Sequence, residues 1–349
     1  MENKYISSLL ALKAEDILNV SLDRPEALFS NIKTLDELKY SYRKLISVWH
    51  PDKNIGRKST DLIFAHIDLL YIKAKQKIIQ NTWNLGQVVF LDEPFAYEKS
   101  FDFDLGMCYI GKEKVAWLIN SEFEDLALNA IKTIESLKFA DNNMKEQMKT
   151  FLPCIIRYKK LSNNKLLLLL KKDKNSILLK DISKFYNNKI DPKHVAWILG
   201  NCYNFSCFLT YNNLMYGAID SNHLFVNPEN HTVEFLGGWW FSCKEGEKLK
   251  AINRLALDVA PLEIINDKKA TYKLDLELIR LLGRTLLGDK NGIHLLKDKE
   301  IPVSLVIWLR NTVGKNNSFQ EYEKWNDVLK QSFGVRRFIK MNLKTSDIY

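Results

Sequence analysis

The chain has 349 residues, 46% of them hydrophobic, with 51 Lys+Arg against 42 Asp+Glu and a formal net charge of +9. That length suits two domains or one large one, and so apolar a composition excludes disorder of the chain as a whole. Only 14 Gly and 8 Pro exclude collagen-like and linker-dominated architectures, and so small an excess of positive charge is a weak hint of an acidic partner.

From the N-terminus, residues 1–80 read as helical, with apolar residues three and four apart. A first short helix is expected near residues 15–20. Thr34-Leu35-Asp36-Glu37 fits a capping box, with Thr34 accepting from the N3 amide and Glu37 reaching back. Leu38, Tyr42, Leu45 and Trp49 follow at helical spacing and give one apolar face, with Lys39, Arg43 and Lys44 on the other side. This helix must end at His50-Pro51-Asp52, because proline disfavours the α region for the residue before it. After a polar loop, residues 53–58, a second helix starts near Ser59-Thr60-Asp61, with Ile63, Ile67, Leu70, Ala74 and Ile78 on its apolar face. The product is two helices running back to back, with His50, Pro51 and Asp52 exposed at the turn.

The period changes near residues 83–87. Strand-like pieces follow at Val88-Val89-Phe90-Leu91, residues 107–110, 115–119 and 155–156, and the leucine run 166–170, interrupted by one helix near residues 123–137. From Ser176 onward the pattern is mostly helical, including a long amphipathic helix near residues 194–209, with one β-like insert at 223–236. The five cysteines, Cys108, Cys154, Cys202, Cys207 and Cys243, are odd in number and lack CxxC spacing. They read as buried intracellular thiols, since neither a disulfide framework nor a zinc ribbon follows from them. No run approaches the roughly 20 apolar residues of a membrane helix. Lys13, Glu15 and Asp16 also break the opening apolar patch, which makes a poor signal peptide. The expectation is a cytoplasmic protein with no membrane partner.

The run Tyr42-Arg43-Lys44-Leu45-Ile46-Ser47-Val48-Trp49-His50-Pro51-Asp52-Lys53-Asn54, with Phe64-Ala65-His66-Ile67, Leu70-Tyr71 and Ala74, resembles the J-domain of the DnaJ (heat-shock protein 40) family. The resemblance implies that His50, Pro51 and Asp52 engage a heat-shock protein 70 chaperone and trigger its ATP hydrolysis. It also implies a docking face made of Lys39, Tyr42, Arg43, Lys44 and Lys53. Two departures stand out: an extra stretch at residues 23–30, and no QKR-type end. There is no Gly/Phe-rich linker and no CxxCxGxG region, so only the recruiting module of the family is present.

Strands with one helix, then a mainly helical half, is the order of a bilobal protein-kinase-like fold. Leu214 to Val226, which contains Tyr216-Gly217-Ala218-Ile219-Asp220-Ser221-Asn222-His223, resembles a kinase catalytic loop in its place after the long helix. Ala260-Pro261-Leu262-Glu263 resembles an APE element, and Asp275 the buried structural Asp of a following helix. Phosphoryl transfer needs a base Asp, metal-binding Asn and Asp, a Lys on the phosphates and a Gly-rich loop. By this resemblance the base falls on Ala218, the Asn on His223, the DFG segment on Leu236-Gly237-Gly238-Trp239-Trp240 and the Lys on Leu118, with only Gly106 and Gly111 in the glycine loop. The resemblance therefore implies a pseudokinase without catalytic residues, cofactor or metal.

The expected domains are a J-domain at 1–80, a small β-rich lobe at 85–175, a larger α-helical lobe at 176–335 and a basic tail at 336–349, an all-α module followed by an α+β one. The combination, with Leu236-Gly237-Gly238-Trp239-Trp240, resembles J-domain/kinase-like proteins of bacteriophages. It implies an adaptor that recruits heat-shock protein 70 in the host cytoplasm while the kinase-like domain holds a protein client. Two alternatives stay open. One is an atypical kinase or nucleotide-binding enzyme using Asp220, Glu234 or Asp258 as metal ligands; the other is a nucleic-acid-binding or host-defence-blocking protein. Nucleic acid is permitted by the charge without being indicated. His194, His223 and His231 with Cys202 and Cys207 lack metal-site spacing and read as packed side chains. Trp239 and Trp240 would face opposite ways on a strand, leaving one for a protein or base contact; in a loop both can enter the core.

Overall fold

The computed structural model describes residues 9–349 apart from 23, 31, 33, 54–57, 81, 84, 91–92 and 336; the side chains of 53, 58 and 59 are also outside the described residues. The chain is mixed helix and sheet and divides into two compact units, Met1–Lys99 and Ser100–Tyr349. Among the described residues no helix is long and apolar enough to cross a membrane.

The first unit is built on α1 (Ala14–Leu18), α2 (Leu35–Trp49) and α3 (Lys58–Ile79). The capping box forms: the Glu37 amide donates to Thr34 Oγ1 at 3.2 Å and the Thr34 amide to Glu37 Oε2 at 3.1 Å. Ile17, Leu38, Leu45, Ile63, Ile67, Leu70 and Ala74 meet in one core, so the apolar spacing read from the sequence is the buried face. The extra stretch is part of that core. Pro25–Ala27 makes one 3-10 turn, Leu28 and Phe29 are buried, and the buried carboxylate of Glu26 accepts from Lys77 Nζ at 2.5 Å. The insertion thus fastens the loop before α2 to the last turn of α3. Asp23, the first residue of this stretch, lies outside the described residues.

The unit boundary falls later than the change of pattern. β1 (Gly86–Phe90) pairs antiparallel with β2 (Glu93–Tyr97), Gly86 opposite Tyr97, and this ribbon is separate from the larger sheet. The strand expected at Val88 to Phe90 therefore belongs to the first unit. β2 and β3 (Lys99–Phe103) gave no readable signal, because Pro94 and charged residues interrupt them and neither is deeply buried.

The second unit holds a five-stranded sheet in the order β3-β4-β5-β7-β6, with β4 (Gly106–Ile110), β5 (Lys114–Ile119), β6 (Cys154–Lys160) and β7 (Leu166–Lys171). In the antiparallel centre Trp117 lies opposite Cys108 on one side and Leu168 on the other. Along β5, Val115 to Ile119 are all buried, as are four of the five leucines of β7, so a continuous apolar run takes the place of alternation. β6 is the edge, with exposed Arg157, Lys159 and Lys160 guarding it and a bulge between Ile155 and Arg157. α4 (Glu124–Glu135) follows β5, and α5 (Asn142–Met148), absent from the sequence reading, starts on an Asp141 cap.

The helical part comprises α6 (Leu179–Phe185), α7 (Pro192–Tyr211), α8 (Leu262–Asp267), α9 (Lys273–Leu286), α10 (Val303–Arg310) and α11 (Ser318–Phe333). Among these run β8 (Ile177–Leu178), β9 (Leu214–Met215), the hairpin β10 (Leu224–Asn227) and β11 (Thr232–Phe235), and β12 (Cys243–Lys244). α7 is buried on most of its surface rather than amphipathic, with Val195, Leu199, Tyr203 and Phe205 all inside. Arg280 of α9 and Glu321 of α11 form a buried pair at 2.6 Å.

The basic tail is anchored at a few points, while its cations Arg337, Lys340 and Lys344 are exposed. Met341 and Leu343 are buried, Phe338 stacks on His231 at 4.2 Å, and the Tyr349 hydroxyl accepts from the Leu178 amide and donates to Asp181. Arg336 lies outside the described residues. Cys154 is exposed and Cys243 half-buried, against the expectation of buried thiols, while Cys108, Cys202 and Cys207 are inside.

The Glu26–Lys77 pair gives a direct test. Lys77→Ala leaves a buried carboxylate without its ammonium and is expected to destabilise the N-terminal unit by about 3 kcal/mol in denaturant unfolding. Arg24→Ala, which removes an exposed guanidinium 4.0 Å from Glu26, is expected to change it by less than about 0.5 kcal/mol.

Candidate functional site

In the first unit the candidate residues lie on α2 and the turn after it. α2 stops at His50, whose backbone is extended (φ −66°, ψ 135°), and Pro51–Lys53 forms a single 3-10 turn. The Asp52 amide donates to His50 Nδ1 at 3.2 Å, which folds the turn on itself, and the imidazole lies edge-on to Phe64 of α3, 5.6 Å away. The His50 side chain is 40% exposed and the Asp52 carboxylate 89%. Lys39, Arg43 and Lys44 are all exposed, with the Lys44 ammonium over the Tyr40 ring. Tyr42 is different: its ring stacks on Tyr71 at 4.0 Å and its hydroxyl donates to Asp68 at 2.5 Å, so it ties α2 to α3. Burial and the Asp68 carboxylate hold its hydroxyl proton well above the usual tyrosine range. The Lys53 side chain lies outside the described residues.

In the second unit the candidate loop runs from Tyr216 to His223, between β9 and β10. Its start is fixed by Asp275, in the first turn of α9. Oδ2 accepts from the Tyr216 amide and Oδ1 from the Gly217 amide, both at 2.7 Å, and the carboxylate is 1% exposed. Burial pushes the Asp275 carboxyl up to about 7 against the pull of those two amides. The Tyr216 hydroxyl donates to the carbonyl of Gly237.

Asp220 organises the end of the loop. Its carboxylate meets His223 Nδ1 at 2.9 Å, and accepts from Asn253 Nδ2 at 2.6 Å and from the Asn222 amide at 2.7 Å. A carboxylate only accepts, so Nδ1 carries the hydrogen of this contact. His223 is buried beside Trp117, Trp240 and Phe241.

Two glycines let these rings meet. A Cβ on Gly237 would come within 2.7 Å of the Trp117 ring and 3.1 Å of His223, and one on Gly238 within 2.3 Å of Ala218 Cβ. Gly238 also has φ +77°, in the left-handed region that favours glycine. Trp239 and Trp240 both enter the core because Trp239–Phe241 is a 3-10 turn, not a strand. Trp239 Nε1 donates to the Phe235 carbonyl, and Trp240 packs on Trp117 at 5.0 Å and Phe103 at 5.2 Å. Trp117 Nε1 in turn donates to the Leu236 carbonyl at 2.8 Å.

No protein-family model matches the chain, and no curated protein sequence matches it significantly.

Outside this aromatic packing lies a cavity of about 490 Å³ lined by Phe101, Asp102, Phe103 and Asp104 from one side and by Asn222, His223, Asn253 and Arg254 from the other, with Lys180, Leu255, Asp258 and Lys290. Asp258 and Lys290 form an ion pair at 2.5 Å. Asp220, Glu234 and Asp258 do not converge: Asp220 is committed to His223 and Asn253, and Glu234 accepts from Ser176. Among the described residues no three His, Cys, Asp or Glu side chains are grouped to hold a metal. Leu118, on β5, is buried between strands and carries no charge. His194 Nδ1 accepts from Trp197 Nε1, and His231 lies between Trp197 and Phe338. The motif reading had no signal for Asn253, which is 33 residues from Asp220 in sequence.

Asp275→Ala strands two buried amides and is expected to lower stability by about 3 kcal/mol at pH 5. The raised carboxyl adds a pH signature. Its stabilising contribution is complete below the unfolded value of about 4 and is lost as pH rises through about 7. Denaturant midpoints at pH 5 and pH 8 are therefore expected to differ less in Asp275→Ala than in the wild type.

Proposed function

We propose that the chain is a J-domain adaptor, in which the first unit recruits a heat-shock protein 70 chaperone through His50, Pro51 and Asp52, and the second is a catalytically inactive kinase-like domain that holds a client. The observation that carries the reading is the turn itself. A capped helix ends on His50, the Asp52 amide closes onto its ring, and the Asp52 carboxylate is left almost wholly in solvent, while the same helix carries the exposed cations Lys39, Arg43 and Lys44. An exposed acid after a helix with a basic face suits recognition of a partner by charge and hydrogen bonds. Tyr42 acts on this surface by holding α2 against α3.

The kinase-like part of the reading is supported by the five-stranded sheet followed by a helical part, and by the buried Asp275 gripping the loop that starts at Tyr216. Its inactivity is supported by what packs beside the Tyr216–His223 loop. Ala218 abuts Gly238, His223 turns Nδ1 onto Asp220, and Trp117 and Trp240 pack where charged ligands of magnesium and phosphate would be wanted. These residues fit one another, which favours a domain reshaped to bind rather than one decayed at random. The resemblance to bacteriophage proteins favours an adaptor that acts in a host cytoplasm through the host's chaperone.

The test is the steady-state ATPase rate of a bacterial heat-shock protein 70 with the wild type and with His50→Gln. Stimulation by the wild type of several-fold, reduced to the basal rate in His50→Gln, is expected. Equal rates with the two proteins would reject the co-chaperone role. Arg43→Ala with Lys44→Ala is expected to weaken stimulation mainly by raising the concentration needed, and less so at higher salt, where the wild-type charges are screened.

A further inference from the structure

α3 is apolar on two opposite faces. Ile63, Ile67, Leu70 and Ala74 face the core of the first unit. On the other side Leu62, Ala65, Leu69, Ile72, Gln76 and Ile79 recur in alternating steps of three and four residues. Leu62, Leu69, Ile72 and Ile79 are 67%, 48%, 50% and 61% exposed. A helix needs one apolar stripe to join its own core; a second stripe at a 3.5-residue repeat has the spacing by which two helices interlock side chains.

The charges beside the stripe define what fits it. Asp61, Asp68 and Lys75 follow one another at seven-residue intervals along a single edge, acidic toward the start of the helix and basic toward its end. Asp61 and Lys75 have no ion-pair partner among the described residues, and one oxygen of Asp68 is engaged by Tyr42. Such an edge is complementary to itself when reversed. We infer that α3 is the pairing surface for a second copy of this chain, with the two helices antiparallel. Leu69 then packs on Ile72 of the second copy, Leu62 on Ile79, and Ala65 beside Gln76, while Asp68 meets Lys75 of the second copy and the reverse. Antiparallel helices also oppose their dipoles. With 22 residues in α3, a helix of about 33 Å, the two His50-Pro51-Asp52 turns stand near opposite ends of the pair, so both remain reachable. The inference does not depend on what the turn binds.

Sedimentation velocity of the full chain over a hundredfold range of concentration tests it. A concentration-dependent two-copy species is expected. Leu69→Lys with Ile72→Lys, both at exposed positions, is expected to weaken association at least tenfold with an unchanged circular dichroism spectrum. Lys75→Glu, which sets like charges against each other, should weaken it in low salt and recover in high salt. Ile265→Lys, at an exposed apolar position of the second unit, should leave it unchanged. A chain monomeric at every concentration, or a dimer indifferent to the Leu69/Ile72 change, would overturn the inference.

Discussion

Two backbone amides, of Tyr216 and Gly217, end on one buried carboxylate, that of Asp275, and the shape of the second unit's candidate site follows from that contact. A loop cannot run through a core unless its polar groups are satisfied. Asp275 satisfies the first two, the Tyr216 hydroxyl reaches the Gly237 carbonyl, and Asp220 takes over at the far end by holding His223, Asn222 and Asn253. Between those anchors the chain is small, with Gly217 and Ala218, and the space is taken by rings. Trp117, Trp240, Phe103 and His223 form a connected group whose close approach depends on Gly237 and Gly238 having no side chain.

The first unit solves a different problem, that of presenting a polar turn without letting it collapse. Proline forbids the helix from continuing, the Asp52 amide takes the His50 ring nitrogen, and Phe64 supports the imidazole from α3. The helices behind the turn are held together by Tyr42 on Tyr71 and Asp68, and the last turn of α3 by Lys77 on Glu26.

What could be read from the sequence was whatever local chemistry determines. Thr34 and Glu37 announce a helix start, Pro51 its end, and the runs at Val115 to Ile119 and Leu166 to Leu170 the central strands. Long-range polar partners were invisible, because Glu26 and Lys77, Arg280 and Glu321, and Asp220 and Asn253 are each more than thirty residues apart and obey no periodicity. The same limit hid the role of residues 23–30, whose Leu28 and Phe29 look like any loop apolars until the core is seen around them. Trp239 and Trp240 were ambiguous for a related reason: whether neighbours share a core depends on whether the backbone is a strand or a tight turn. The tail's charges, which are exposed, carried no sign of its docking, which Met341, Leu343 and Tyr349 decide.

The proposal for the second unit is a kinase-like domain in which aromatic side chains pack beside the Tyr216–His223 loop and no magnesium nucleotide is held. Thermal melting of the full chain with and without magnesium and ATP addresses it most directly. No change in the melting temperature at millimolar nucleotide is expected, because among the described residues no three His, Cys, Asp or Glu side chains are grouped to hold a metal, and Trp117 and Trp240 pack against His223. A saturable rise of more than about 2 °C would contradict it and make the second unit a nucleotide-binding domain.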